Sequence, residues 1–285
     1  MTTPARRSFE RKSAQAAAAA TDPGTVVIGG DYERMLVRLR TDLLRLKQIE
    51  SVEHKAVVKR ELLPEYSAWV SGVVAADSGA IDEILPNVMV WRIDSGDFEG
   101  ALDIGEYVLR HGLQMPDRYN RGAAVVLAEE IAEQAIKAIK AEKLVDIATL
   151  RRTIELTASR DMPDEVRSKL LKAAGWALQS GLVDEGHHLN DSVQRAMEAR
   201  TVLIRAGQLH SKAGVVRDIQ ILDRYLKKHS VTVAEIPAAN ELQQHDDSGA
   251  AVFTETTDSE GVARVVTGAD YSAAVATGDS LPPAV

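Results

Sequence analysis

From residue 31 onward, apolar positions recur at alternating three- and four-residue steps, the signature of one face of an α-helix. Leu36, Leu39, Leu43 and Leu46 follow that rule. At about 100° per residue they fall within roughly 80° of one another. Arg34, Arg38 and Arg45 fall within roughly 40° on the opposite side of the same helix. Asp31 is placed to cap it. Pro64 is expected to end or turn it, because the residue before a proline is pushed out of the α region. Pro64 then suits the first turn of a helix carrying Trp69, Val70, Val73 and Val74. Further helices are predicted from about Ala80 through Trp91 and from Phe98 to a cap at Gly112. Others cover 123–142 and 146–159. The last three run from Met162-Pro163-Asp164-Glu165 to a break at Gly181, from 184 to about Arg200, and from about Lys212 to Lys228.

Two stretches lack this period. Residues 1–30 scatter Ser, Thr, Pro and Gly around an alanine run and predict a disordered basic arm. Residues 231–285, rich in Ala, Thr, Gly, Ser and Asp, predict a disordered acidic tail. Between them the pattern divides into a basic amphipathic segment, 31–63, and a helical-hairpin domain, 64–230. Trp91 and Trp176 each stand five residues ahead of a turn glycine, Gly96 or Gly181, that leads into a second helix. Two imperfect copies give a weak tetratricopeptide-like character.

Composition supports an all-α class. Only 4% of the residues are aromatic, and strands lean on aromatic and β-branched side chains. There are no cysteines, which excludes disulfides, thiolate zinc sites and cysteine nucleophiles. No apolar run reaches the length of a membrane-spanning helix. Ala16 to Ala20, following Arg6, Arg7, Arg11 and Lys12, is too short for a signal peptide. A protein of the cytoplasm, without a membrane partner, is expected.

The net charge of −8 argues against nucleic acid, but it is unevenly spread. Residues 1–61 carry twelve basic and eight acidic side chains, a balance of +4. Residues 231–285 carry nine acids and only Arg264, a balance of −8. The basic front predicts DNA contact led by Arg34, Arg38 and Arg45 and supported by Arg6, Arg7, Arg11, Lys12, Lys55, Lys59 and Arg60. The competing reading is a solvated helix face on which Glu33, Asp42, Glu50, Glu53 and Glu61 neutralise those cations. The leucine face of Leu36, Leu39, Leu43 and Leu46 is the expected self-association surface. Its two heptads are too short to specify a coiled coil alone, and packing inside the chain competes.

No catalytic constellation emerges, and no cofactor or metal is expected. The chain has no Gly-Lys dipeptide, which a phosphate-cradling loop needs. Asp164 and Glu165 read as first-turn acids that favour the helix dipole. The adjacent His187 and His188 point about 100° apart on a helix and lack a carboxylate at the spacing of a helical zinc motif. Trp69, Trp91 and Trp176 read as packing residues.

Four blocks resemble the small-terminase family of temperate tailed phages that package DNA from cohesive-end sites. They are Tyr32-Glu-Arg-Met-Leu-Val-Arg-Leu39, Lys59-Arg-Glu-Leu-Leu-Pro64 with Trp69-Val70, Met89-Val-Trp-Arg-Ile-Asp-Ser-Gly-Asp97 through Ala101-Leu102 and Gly112-Leu113 to Met115-Pro116, and Glu155-Leu-Thr-Ala158 with Asp161-Met-Pro-Asp-Glu-Val-Arg167. Pro4-Ala5-Arg6-Arg7, with Phe9 and Ser13, resembles the family's start. The resemblance implies a homo-oligomeric subunit that recognises the packaging site on double-stranded phage DNA in the host bacterial cytoplasm. It also implies recruitment of a large subunit that owns the ATPase. Such subunits are often labelled terminase endonuclease subunits, and the missing nuclease constellation assigns cutting to the holoenzyme. A lysine-rich tail found in some relatives is acidic here. The alternatives are a helical-repeat adaptor that binds only proteins and an autonomous endonuclease.

Overall fold

The computed structural model describes residues 3–116, 119–183 and 185–229, with two short strands at 255–257 and 263–265. The helices are α1 (Pro4–Ala19), α2 (Gly30–Lys47), α3 (Val52–Ala76), α4 (Ile84–Ser95), α5 (Phe98–Arg110), α6 (Ala123–Lys140), α7 (Ile147–Thr157), α8 (Asp164–Gln179), α9 (Leu189–Leu209) and α10 (Val216–Lys228). A 3-10 turn over Ser211–Ala213 precedes α10. Local chemistry sets several starts. Ser51 accepts from the His54 amide (3.2 Å), Asp97 from that of Gly100 (3.1 Å) and Asp146 from that of Ala148 (3.0 Å), each filling an otherwise orphaned donor. One hydrophobic core runs from Ala14 in α1 to Leu226 in α10.

The all-α class and the hairpins stand as the periodicity predicts. α4 and α5 pack antiparallel around the turn at Gly96 and Asp97, with Trp91 buried. α8 and α9 form the tighter pair. A Cβ on Gly175 of α8 would lie 2.5 Å from Leu203 Cγ of α9, so this crossing needs glycine. Helix α9 starts at Leu189 and continues to Leu209, displaced from the expected 184 to about Arg200. The acidic tail expected over 231–285 lies outside the described residues, apart from β1 (Glu255–Thr257) paired antiparallel with β2 (Ala263–Val265).

Two expectations are corrected. The disordered arm expected over 1–30 is, from residue 3 on, ordered: α1 is capped by Thr3, starts at Pro4 and packs along α3. Its contact is made by small residues. Ala14 and Ala18 are fully buried, and a Cβ on Gly72 of α3 would collide with the Arg11 carbonyl and lie 2.7 Å from the Ala14 Cβ. After α1 the chain pairs with the α3–α4 loop, where the Val27 amide donates to the Ile81 carbonyl (3.0 Å) and the Ile81 amide to that of Thr25 (2.7 Å). Pro64, expected to end a helix, lies inside α3. A proline there forfeits a backbone bond, costing about 3 kcal/mol. Packing on both sides offsets that cost, since Leu62, Leu63 and Tyr66 are buried and Arg60 reaches the Ser95 carbonyl (2.8 Å).

Helix α3 carries the anchors for its neighbours. Tyr66 donates to Asp42 of α2 (2.6 Å) and meets Trp91 of α4 edge-on at 5.5 Å. Trp69 stacks on Tyr32 of α2 at 5.7 Å and donates through Nε1 to buried Asp82 (2.6 Å). Asp82 also accepts from the amides of Ile84 (2.6 Å) and Leu85 (3.2 Å), so it caps the first turn of α4. The Tyr32 hydroxyl accepts from the Glu83 amide (3.2 Å).

Burial pushes the Asp82 carboxyl up to about 6, against the three donors that pull it down. An unfolded aspartate titrates near ~3.9. The folded chain therefore holds this proton more tightly. The resulting stability is complete below about pH 4 and lost as the pH rises through about 6. Two pKa units correspond to about 3 kcal/mol. The stability advantage of the native chain over Asp82→Asn should thus shrink by about 3 kcal/mol between pH 4 and pH 7 in urea unfolding. A pH-independent difference would contradict this role for Asp82.

Candidate nucleic-acid interface

The cationic residues singled out from the sequence lie on α1, α2 and α3, but the fold treats them differently. Arg34 pairs with Asp31, Arg38 with Glu65 at 2.5 Å and Arg45 with Glu61 at 3.9 Å. Arg6 pairs with Glu10 at 2.9 Å, and Lys59, largely covered, pairs with Asp94. The Glu65 bond lifts the Arg38 guanidinium above its usual range, and the same bond lowers the Glu65 carboxyl. These pairs are mostly exposed and contribute at most about 1 kcal/mol each.

The groove between α1, α2 and α3, about 820 Å³, brings Arg6, Arg34 and Arg38 together with Glu10, Asp31, Glu33 and Glu65. Three cations facing four carboxylates make a poor landing site for phosphate. A shallower depression of about 320 Å³ is different. Arg7 and Arg11 of α1 line it with Ser8, Ser67 and Ser71, and no carboxylate does. Among the described residues Arg7, Arg11, Lys12 and Lys55 have no carboxylate partner. Arg7 and Arg11 share the α1 face that carries Ala14 and Ala18, so the tight crossing at Gly72 positions them beside α3.

A second cationic group joins Lys137 and Lys140 of α6, Lys172 of α8 and Lys212 of the 3-10 turn around one cleft. No helical period links residues so far apart in sequence. His187 and His188 are exposed ahead of α9. Among the described residues no group of three His, Asp or Glu is placed to hold a metal ion, and no helix is long and apolar enough to cross a membrane.

The leucine face of α2 points inward. Leu39 and Leu46 are 2% and 6% exposed, while Leu36 and Leu43 are half-buried against the core. The apolar side chains that α2 leaves in solvent are Val37 and Leu44, at 62% and 63%.

Comparison with known proteins gives the arrangement a context. The family model described as phage small terminase subunit matches residues 36–165. The chain is 44% identical over 231 residues to the "Terminase, endonuclease subunit" of Escherichia phage P2, covering 80% of this chain and 87% of that protein. It is 23% identical over 204 residues to the "Probable terminase, endonuclease subunit" of Haemophilus phage HP1 (strain HP1c1), covering 67% and 69% respectively. No solved structure matches.

The placement of the α2 side chains predicts a clear split in stability. Leu39→Ala should cost roughly 2–5 kcal/mol by leaving a cavity in the core. Val37→Ala and Leu44→Ala, which lie outside the chain's own core, should cost clearly less. Equal losses at the three positions, measured by chemical denaturation, would contradict the inward orientation of the leucine face.

Proposed function

The chain belongs to the phage small terminase subunit family, and on that premise we propose that it binds the packaging site on viral DNA and recruits the large ATPase subunit. The observation that carries this reading is the 44% identity with the phage P2 subunit over 87% of that protein's length. The geometry of α1 supports it. Arg7 and Arg11, unneutralised and flanked by serine hydroxyls, offer charge-assisted donors to backbone phosphates. Lys12, Lys55 and Arg60 widen the basic front, while Arg6, Arg34, Arg38, Arg45 and the largely covered Lys59 add less because carboxylates already answer them. Phosphate contacts of this kind set position and orientation, and sequence choice requires base contacts in addition. The acidic residues 231–285 are the segment assigned to the large subunit, because their charge of −8 repels DNA. Cutting belongs to the holoenzyme.

Self-association is part of the same proposal. A second copy is the assigned occupant of the α2 edge, where Val37 and Leu44 stand one heptad apart beside half-buried Leu36 and Leu43. Val37→Glu with Leu44→Glu should yield smaller assemblies in sedimentation while circular dichroism stays helical. Unchanged assembly size would place the interface elsewhere.

DNA binding is tested by titrating duplex DNA at several salt concentrations. Arg7→Ala with Arg11→Ala should flatten the salt dependence by roughly 2 units of slope, because each lost phosphate contact removes about 0.9. Arg34, Arg38 and Arg45 changed together to Ala should lose less per residue, since their charges are already shared with Asp31, Glu65 and Glu61. A wild-type chain that binds duplex DNA at no salt concentration would favour a protein-only adaptor. Magnesium-dependent cleavage by the purified chain alone would return the cutting activity to this subunit.

A further inference from the structure

The cleft between α6, α8 and the 3-10 turn is cationic in an acidic protein. Its volume is about 520 Å³, and its charged lining is Lys137, Lys140, Lys169, Lys172 and Lys212 against Glu133 and Glu165, with His210 at the edge. The balance is +3, while the whole chain carries −8. Among the described residues, Lys169 is the one lysine of the five with direct ion pairs, to Glu129 (3.3 Å) and Glu133 (2.8 Å). Lys137, Lys140 and Lys212 are exposed and without an ion pair among the described residues. Lys172 donates to the Ala213 carbonyl (2.5 Å) and sits 4.6 Å over the Trp176 ring. Burial, together with the Lys140 charge, holds its ammonium below the usual range, and Asp218, which accepts from Trp176 Nε1 (3.0 Å), opposes that shift.

From this arrangement we infer that the cleft is a second phosphate-backbone contact for duplex DNA, formed by Lys137, Lys140, Lys172 and Lys212. The inference rests on the DNA-binding reading of the chain and adds a surface distant in sequence from the basic front. The lining calls for a polyanion, and on the DNA-binding reading that polyanion is the duplex backbone. All the cations are lysines and none is an arginine. Lysine acts as a compact point charge on a flexible stem, suited to backbone phosphates met at varied angles and without bidentate geometry. Lys137 and Lys140 stand three residues apart on one face of α6, roughly 4.5 Å along the axis. They present two charges side by side to a strand of phosphates. Lys172 and Lys212 face them from α8 and the turn, so an anion in the cleft meets cations from three elements.

The test uses the full chain and a generic linear duplex, since phosphate contacts carry no sequence information. The variant is Lys137→Gln, Lys140→Gln and Lys212→Gln together, all at exposed positions. A control changes three other exposed cations outside the cleft lining, Lys143, Arg217 and Lys227, to Gln. The cleft variant should lose about 2 to 3 units of slope in the logarithmic salt dependence, about 0.9 per phosphate contact. The control should keep the wild-type slope. Equal losses in both variants would make the effect one of overall charge and overturn the inference. Wild-type slope and affinity in the cleft variant would also overturn it, leaving the N-terminal contact intact. Loss of large-subunit stimulation with DNA binding unchanged would overturn it in favour of an acidic protein partner. Absence of DNA binding by the wild-type chain would instead remove the functional reading on which the inference depends.

Discussion

A carboxylate taken out of water has to find donors, and the donors found by Asp82 tie the N-terminal half of the protein together. Trp69 reaches it from the middle of α3, and the amides of Ile84 and Leu85 reach it from the first turn of α4. Tyr32 stacks on that same tryptophan and accepts from the neighbouring Glu83 amide, so α2 is fixed to the same point. Three helices therefore share one small polar cluster inside an apolar core. The loop that holds Asp82 also pairs with the chain leaving α1 through Ile81. Removing this carboxylate would leave an indole N–H and two helix-start amides without partners, a larger loss than one hydrogen bond.

From that point the rest of the N-terminal architecture follows. Once α3 is held, Gly72 leaves room for backbone-to-side-chain contact, and α1 settles into it with two alanines. This explains why the helix was hard to read. An element that buries only Ala14 and Ala18 shows no hydrophobic stripe, yet its alanine run, the Thr3 cap and Pro4 are all favourable to a helix. The signals were local, and the missing signal was tertiary. Pro64 erred in the opposite direction. A strong local breaker was overridden because the α3 residues around it are packed in the core or tied to α4.

Most helices from α4 onward were legible because they bury an apolar face, and burial on a helix writes a 3.6-residue period into the chain; the start of α9, at Leu189 and not 184, was not. Electrostatics were less legible, for a geometrical reason. Periodicity finds which cations share a face, but it cannot see a partner on another helix. Arg38 meets Glu65 across 27 residues of sequence, and the α2 stripe loses much of its apparent positive character to such pairs. The lysine cleft is the converse case. Its members are scattered over 76 positions, from Lys137 to Lys212, and become a group only when α6, α8 and the 3-10 turn meet.

The two findings together change how the net charge of −8 should bear on function. At physiological ionic strength, charges are screened over about 8 Å. A phosphate at the surface therefore responds to the side chains beside it far more than to the chain's overall charge. What matters locally is whether a cation is already answered. A paired arginine keeps spare N–H donors, but its carboxylate partner repels the incoming phosphate and offsets part of the attraction. Arg7, Arg11, Lys137, Lys140 and Lys212 carry no such penalty among the described residues. An acidic chain can thus attract a polyanion through a few unanswered cations, while the α2 stripe contributes less per residue because Asp31, Glu65 and Glu61 already answer it.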